Sequence, residues 1–79
     1  MKARVTVTLK GGVLDPQGKA IEGALASLGF AGVSNVRQGK VFDFEIAEND
    51  PADAANMLQD MCEKLLANTV IEDYRIEMV

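Results

Sequence analysis

The stretch KARVTVTLKGGVLDPQGKAIEGALASLG, Lys2 to Gly29, decides the fold. In its first part Ala3, Val5, Val7 and Leu9 share one parity, and Arg4, Thr6, Thr8 and Lys10 share the other. Period-2 alternation with β-branched residues is the mark of a strand that buries one face. Gly11-Gly12 ends that strand, and Asp15-Pro16 starts a helix. An aspartate caps free amide groups at a helix start, and a proline at the first helical position gives up an N–H that has no partner there. Ala20, Ile21, Ala24, Leu25 and Leu28 follow at helical spacing, which predicts a buried stripe. Gly29 supplies a left-handed stop.

The same device recurs further on. Residues 36–46 read as extended, with Val36, Phe42, Phe44 and Ile46 on one parity and Arg37, Asp43 and Glu45 on the other. Gly39 inside this run marks a bulge, a bend or a hairpin turn. Asp50-Pro51 starts a second helix, with Asp53 in its first turn where the helix dipole favours negative charge. Its stripe is Ala54, Ala55, Leu58, Met61, Cys62 and Leu65, and Asn68 is the expected C-terminal cap. Residues 70–79 alternate again, with Tyr74, Ile76 and Met78 opposing Asp73, Arg75 and Glu77. The order β-α-β(β)-α-β predicts an α+β two-layer sandwich: an antiparallel sheet with two helices on one face, in one domain spanning residues 1–79.

Seventy-nine residues make a small core, which buries only about 60% of the surface of the unfolded chain. Domains of this size commonly rely on disulfides, a metal or a partner. Cys62 is the single cysteine and there is no histidine, so neither an internal disulfide nor a structural zinc site is available. Association remains, and 48% hydrophobic residues fit it. The net charge of −4 and only four aromatic residues argue against a nucleic-acid partner. No apolar run reaches the ~18–20 residues of a membrane span. The amino-terminal segment has no secretory apolar run, and the lone thiol suits a reducing, cytoplasmic setting.

Candidate chemistry is sparse. Gly12 to Lys19 invites comparison with a phosphate loop, but five residues separate the glycines where four are needed. Ala20 also stands where a Ser or Thr should be. Cys62 lies on an apolar stripe with no histidine to act as its base, so it reads as a packed thiol. Met57, Met61 and Met78 read as core filling. Glu63, Glu72, Asp73 and Glu77 have Lys64 and Arg75 as ion-pair partners, and nothing clusters them into an acid/base site. The Glu72-Asp73 pair at the start of the last strand is either a contact point or a solvated end.

Four stretches carry a family resemblance: Val7 to Lys10, Gly12 to Gly18, Val36 to Lys40, and Cys62 to Asn68 continuing from Val70 to Tyr74. In order across the chain, they resemble the small PurS-type subunit of phosphoribosylformylglycinamidine synthase. Thr69 departs from the pattern, because the family commonly has proline there. The resemblance implies a non-catalytic subunit of a ligase complex in purine biosynthesis. Such a subunit bridges a glutaminase subunit and a large ATP-dependent synthetase subunit, and a contribution to ammonia transfer stays open. It implies no catalytic residue and no cofactor or metal bound by this chain, with ATP, magnesium and glutamine used by the partner subunits. A second copy of the chain, as dimer or tetramer, is a further expected partner. The expected contact residues carry the family motifs at element ends: Leu14, Asp15, Gln17, Gly18, Arg37, Lys40, Asn68, Val70, Ile71 and Glu72. For Asp15, Gly18 and Asn68 a capping or turning role competes. The alternatives are a metabolite-sensing module of similar plan and a small acylphosphatase-like hydrolase, and the Gly11-Gly12 loop followed by Asp15 fits the latter poorly.

Overall fold

In the computed structural model, which describes all residues Met1–Val79, the central strand is the amino-terminal one. β1 (Lys2–Leu9) pairs antiparallel with β2 (Gly39–Glu45) on one side and with β3 (Glu72–Met78) on the other, giving the sheet order β2-β1-β3. The register sets Val5 opposite Phe42 and Ile76, and Val7 opposite Lys40 and Tyr74. The inner face therefore carries Ala3, Val5, Val7, Phe42, Phe44, Tyr74 and Ile76, and α2 (Pro51–Met61) covers it with Ala54 and Leu58. The opposite face is polar, with Arg4 held to Asp43 at 2.8 Å. The α+β class and the antiparallel sheet are as the sequence predicts.

Connectivity decides what each helix does. β2 and β3 both run antiparallel to β1, so they are parallel to each other. The chain must cross β1 to join them, and α2 is that crossover, laid over the apolar face. α1 (Pro16–Ser27) joins β1 to its hydrogen-bonded neighbour β2, with Thr8 opposite Gly39. Nothing obliges that connection to cross the sheet. It leaves the sheet end as an arm, and α1 adds no residue to the core. The expectation of two helices on one face thus holds for α2 alone. The arm's apolar stripe is bare, with Leu28 73% and Phe30 59% exposed and Ile21 and Val33 also exposed.

The shape records this. The molecule measures 49 × 24 × 15 Å with a radius of gyration of 16.0 Å, against about 12 Å for a compact chain of this length. Its accessible surface is 5528 Å², where a folded monomer of 8.5 kDa exposes about 4,700 Å². The surplus of roughly 850 Å² equals one partner's share of a standard protein interface.

Local chemistry explains the element ends. Gly29 stands at φ 92°. The N–H of Gly29 donates to the Ala26 carbonyl (3.1 Å) and that of Phe30 to the Leu25 carbonyl (3.0 Å), the two bonds of a Schellman stop. Residues 36–38 are not strand, because β2 begins at Gly39. Gly39 is neither bulge nor hairpin turn: it lies so close to β1 that a Cβ would stand 2.6 Å from the Val7 carbonyl oxygen. α2 passes into a π-helical turn, Cys62–Leu66. The wider turn shifts the inward register by one residue. Leu65, expected in the stripe, is 83% exposed, while Leu66 packs against the core and Ala67 is buried. Asn68 is accordingly not the helix cap. Its carbonyl accepts from the N–H groups of Ile71 (3.0 Å) and Glu72 (2.7 Å), and its side chain accepts from Val70 (3.2 Å), which builds the turn into β3. Cys62 is fully buried, and burial pushes its thiol pKa up, as expected of a packed thiol. No helix is long and apolar enough to cross a membrane.

Candidate functional site

The arm joins the sheet through one carboxylate. Asp15 is only 5% exposed, the single charged residue in the buried set. Its Oδ1 accepts the Gly18 N–H (2.8 Å), capping α1, and its Oδ2 accepts the Gln38 N–H (2.7 Å), one residue before β2. The sequence showed the cap; the bond to Gln38 spans 23 residues and left no local signal. Gly18 sits directly beneath the returning chain, where a Cβ would meet the Val36 carbonyl oxygen at 2.2 Å. Val36 in turn donates its N–H to Glu22 of α1 (3.2 Å).

The neighbouring loops lock onto the same place. Arg37 Nη2 donates to the Lys10 carbonyl (3.0 Å), and the Lys10 N–H donates to the Ile71 carbonyl (2.8 Å). Lys40 Nζ stands 3.9 Å from Glu72, whose other oxygen accepts the Asn68 N–H at 2.7 Å. Lys10 Nζ reaches Asp73 at 3.2 Å. Both acids of the Glu72-Asp73 pair therefore have partners within the chain.

All ten predicted contact residues thus gather at one end of the sheet, the base of the arm, although they come from three separate stretches of sequence. Asp15, Gln17, Lys40 and Glu72 line a shallow concavity of ≈ 250 Å³ with Val7, Leu9, Gln38 and Gly39. Leu14, Asp15 and Arg37 line a second one beside it. Leu14, Gln17, Arg37, Lys40, Val70 and Ile71 are exposed, whereas Asp15 and Gly18 are buried and build the junction. The sequence missed Gln38, Lys10 and Glu22, which take part through backbone or long-range bonds, and it placed Ile21 and Leu28 in the core. Every buried side-chain nitrogen or oxygen has a hydrogen-bond partner.

The Asp15 carboxyl is held below the ordinary carboxylate range, chiefly by the Gln38 N–H, then by the Gly18 N–H, with Arg37 adding to this and burial opposing it. A depressed folded pKa means that its contribution to stability is complete above the unfolded value of about 3.9 and is lost as pH falls through the lower folded value. Asp15→Asn is expected to lower the melting temperature at neutral pH, because an amide offers one acceptor and turns an NH₂ toward the second donor. The loss should shrink as pH falls below the unfolded value, the two melting temperatures drawing together toward the acid end of the range. Thermal unfolding across pH 2–7 checks this. A difference that stays constant with pH would show that the charge of Asp15 does no clamping.

The fold and this junction define a structural class: a small α+β domain whose first helix stands off the sheet as an arm with a bare apolar stripe. Comparison with known proteins gives the family. The sequence model of PurS, phosphoribosylformylglycinamidine (FGAM) synthase, matches residues 2–79, and the chain belongs to that family. It is 51% identical to the PurS subunit of phosphoribosylformylglycinamidine synthase from Bacillus subtilis, over 98% of this chain and 90% of that one. It superposes with a TM-score of 0.85, at 45% identity, on Methanocaldococcus jannaschii PurS, one of the subunits of formylglycinamide ribonucleotide amidotransferase in the purine biosynthetic pathway. That match covers 96% of this chain and 92% of the other. A chain in the structure of PurLQS from Thermotoga maritima matches with a TM-score of 0.90 at 29% identity, covering 99% and 95%.

Proposed function

We propose that this chain acts as the small, non-catalytic subunit of a phosphoribosylformylglycinamidine synthase in purine biosynthesis, working in the cytoplasm. In this reading it bridges a glutaminase subunit and a large synthetase subunit, and it also associates with itself. The arm carries the reading: an apolar helix projected from the core, in a molecule whose surplus surface matches one side of an interface. The arm and its base meet the other subunits, with Leu14, Gln17, Arg37, Lys40, Val70 and Ile71 offered at the surface and Asp15, Gly18, Asn68 and Glu72 fixing the geometry. ATP, magnesium and glutamine are used by those subunits, and the chain itself binds none of them. Its effect on rate comes from holding the two active sites together, so that ammonia passes within the complex instead of being protonated in bulk water.

Reconstitution tests this. Purified glutaminase and synthetase subunits are assayed with and without the chain, using glutamine or ammonium chloride as nitrogen source. The glutamine-driven rate is expected to fall at least about tenfold without the chain, while the ammonium-driven rate holds, since an effective concentration is lost and no catalytic group is. Equal glutamine-driven rates, or turnover by the chain alone, would defeat the reading.

A further inference from the structure

The surface changes character where α2 ends. The π-helical turn Cys62–Leu66 gives Cys62 and Leu66 to the core, and with those two in place the core has no use for Leu65. Leu65 is 83% exposed, and Val70, across the turn into β3, is 81% exposed; no other large apolar side chain of the protein stands so far out. One bare apolar residue is ordinary on a surface, but the two barest on either side of one turn make a patch. Beside them lies a shallow groove of ≈ 340 Å³ lined by Lys10, Glu63, Thr69, Glu72, Asp73 and Tyr74. Its negative charge is only partly answered. Lys10 Nζ reaches Asp73 at 3.2 Å and Lys40 Nζ stands 3.9 Å from Glu72, whereas Glu63 takes part in none of the chain's ion pairs. The Glu63 charge is felt inside the groove, because the Tyr74 hydroxyl is pushed above its ordinary value by burial first and by Glu63 next. The arm is the opposite in chemistry: from Gly23 to Val36 there is no charged residue.

We propose that the π-turn end is a second docking surface, which takes a basic segment of one of the two larger subunits while the arm engages the other. An arginine or lysine of that segment enters the groove beside Glu63, and the apolar residues flanking it cover Leu65 and Val70. The claim rests on the subunit reading above and deepens it by assigning the two ends of the bridge. A subunit that joins two others needs two surfaces that can be filled at once, and these two differ in the partner they fit. The arm's charge-free tip is matched by shape and apolar area. At the π-turn end, covering Leu65 and Val70 also takes Glu63 out of water, and a carboxylate desolvated without a partner is costly. A wholly apolar or acidic segment is therefore rejected there, and a basic one is selected. A second copy docked through this same surface would bring two sets of carboxylates together, which like-charge repulsion opposes.

Photo-cross-linking in the reconstituted complex tests this. Lys64→Cys and, separately, Ser34→Cys are labelled with a benzophenone maleimide. Both residues are exposed and adjoin the two surfaces without anchoring either, and the native Cys62 is buried away from the label. Illumination of the label at position 64 is expected to attach the chain to one larger subunit, next to an arginine or lysine, and the label at position 34 to the other subunit. In the same complex Glu63→Lys should raise the chain concentration that half-saturates glutamine-driven turnover at least about tenfold, and more at low salt than at high. The melting temperature of the isolated Glu63→Lys chain should move by no more than about 3 °C, since Glu63 is exposed. Attachment of the position-64 label to the subunit that the position-34 label reaches, to a second copy of the chain or to nothing overturns the proposal. So does a Glu63→Lys chain that saturates turnover at the parent's concentration. Each of these results leaves the subunit reading intact, and failure of that reading would appear separately, as equal glutamine-driven rates with and without the chain.

Discussion

Replacing Leu28 and Phe30 together by serine is expected to abolish glutamine-driven turnover of the reconstituted complex while leaving the isolated chain as stable as before. Both side chains are largely exposed and neither belongs to the core. Exposed substitutions away from special features change stability by no more than about 0.5 kcal/mol. The backbone bonds that end α1, from Gly29 and Phe30 to Ala26 and Leu25, do not depend on either side chain. In an interface the outcome differs. A buried aromatic or aliphatic anchor is worth about 2 kcal/mol or more when truncated, so losing two raises the dissociation constant about a thousandfold. The control is Val41→Ser, an equally bare apolar residue on the outer sheet face. It should leave both assembly and stability unchanged. If the Val41 variant loses as much activity as the arm variant, the contact surface is the sheet and the arm has another purpose.

That the arm is an arm could not be read from the residues. The two helices announce themselves with the same Asp-Pro start and comparable apolar stripes, and Leu28 in one looks no different from Leu58 in the other. Periodicity says that a face is apolar and is silent about what covers it. The deciding fact is which strands are neighbours. Once β1 and β2 pair directly, α1 is an excursion between adjacent strands; once β2 and β3 flank β1, α2 has to cross the sheet. Both follow from long-range pairing, which no local pattern encodes. The strands themselves, the two caps and the Gly29 stop were legible because their causes are local. Leu65 misled because one π-helical turn shifts a stripe by a residue. At the arm base the motif residues were visible as a set, but their convergence was not. Lys40 and Glu72 lie 32 positions apart in sequence and meet only because β2 and β3 flank one strand.

Two glycines of the same helix should respond to alanine with opposite signs. Gly23 has nothing within 4 Å of where a Cβ would stand. Alanine there removes backbone freedom from the unfolded chain and improves helix propensity, a gain of about 0.5–1 kcal/mol. That should raise the melting temperature by about 3–6 °C in a domain of this size. At Gly18 the same propensity gain is available, but the new methyl would stand 2.2 Å from the Val36 carbonyl oxygen. That oxygen is a backbone atom and has little room to yield. Val36 is tied to Glu22 through its own N–H, and Gln38 two residues on is tied to Asp15. Relief requires either α1 to tilt, breaking the Asp15 cap, or residues 36–38 to move and take the start of β2 with them. Overpacking of this kind costs about 1–3 kcal/mol, and an unyielding backbone neighbour puts Gly18→Ala at or above the upper figure. A fall in melting temperature of about 10–20 °C is the expected reading. Because the arm is set at its angle by this contact, Gly18→Ala should also weaken assembly under conditions where the chain is still folded, and Gly23→Ala should not. If both variants melt higher than the parent, the returning chain gives way freely, and the close approach at Gly18 does not fix the arm.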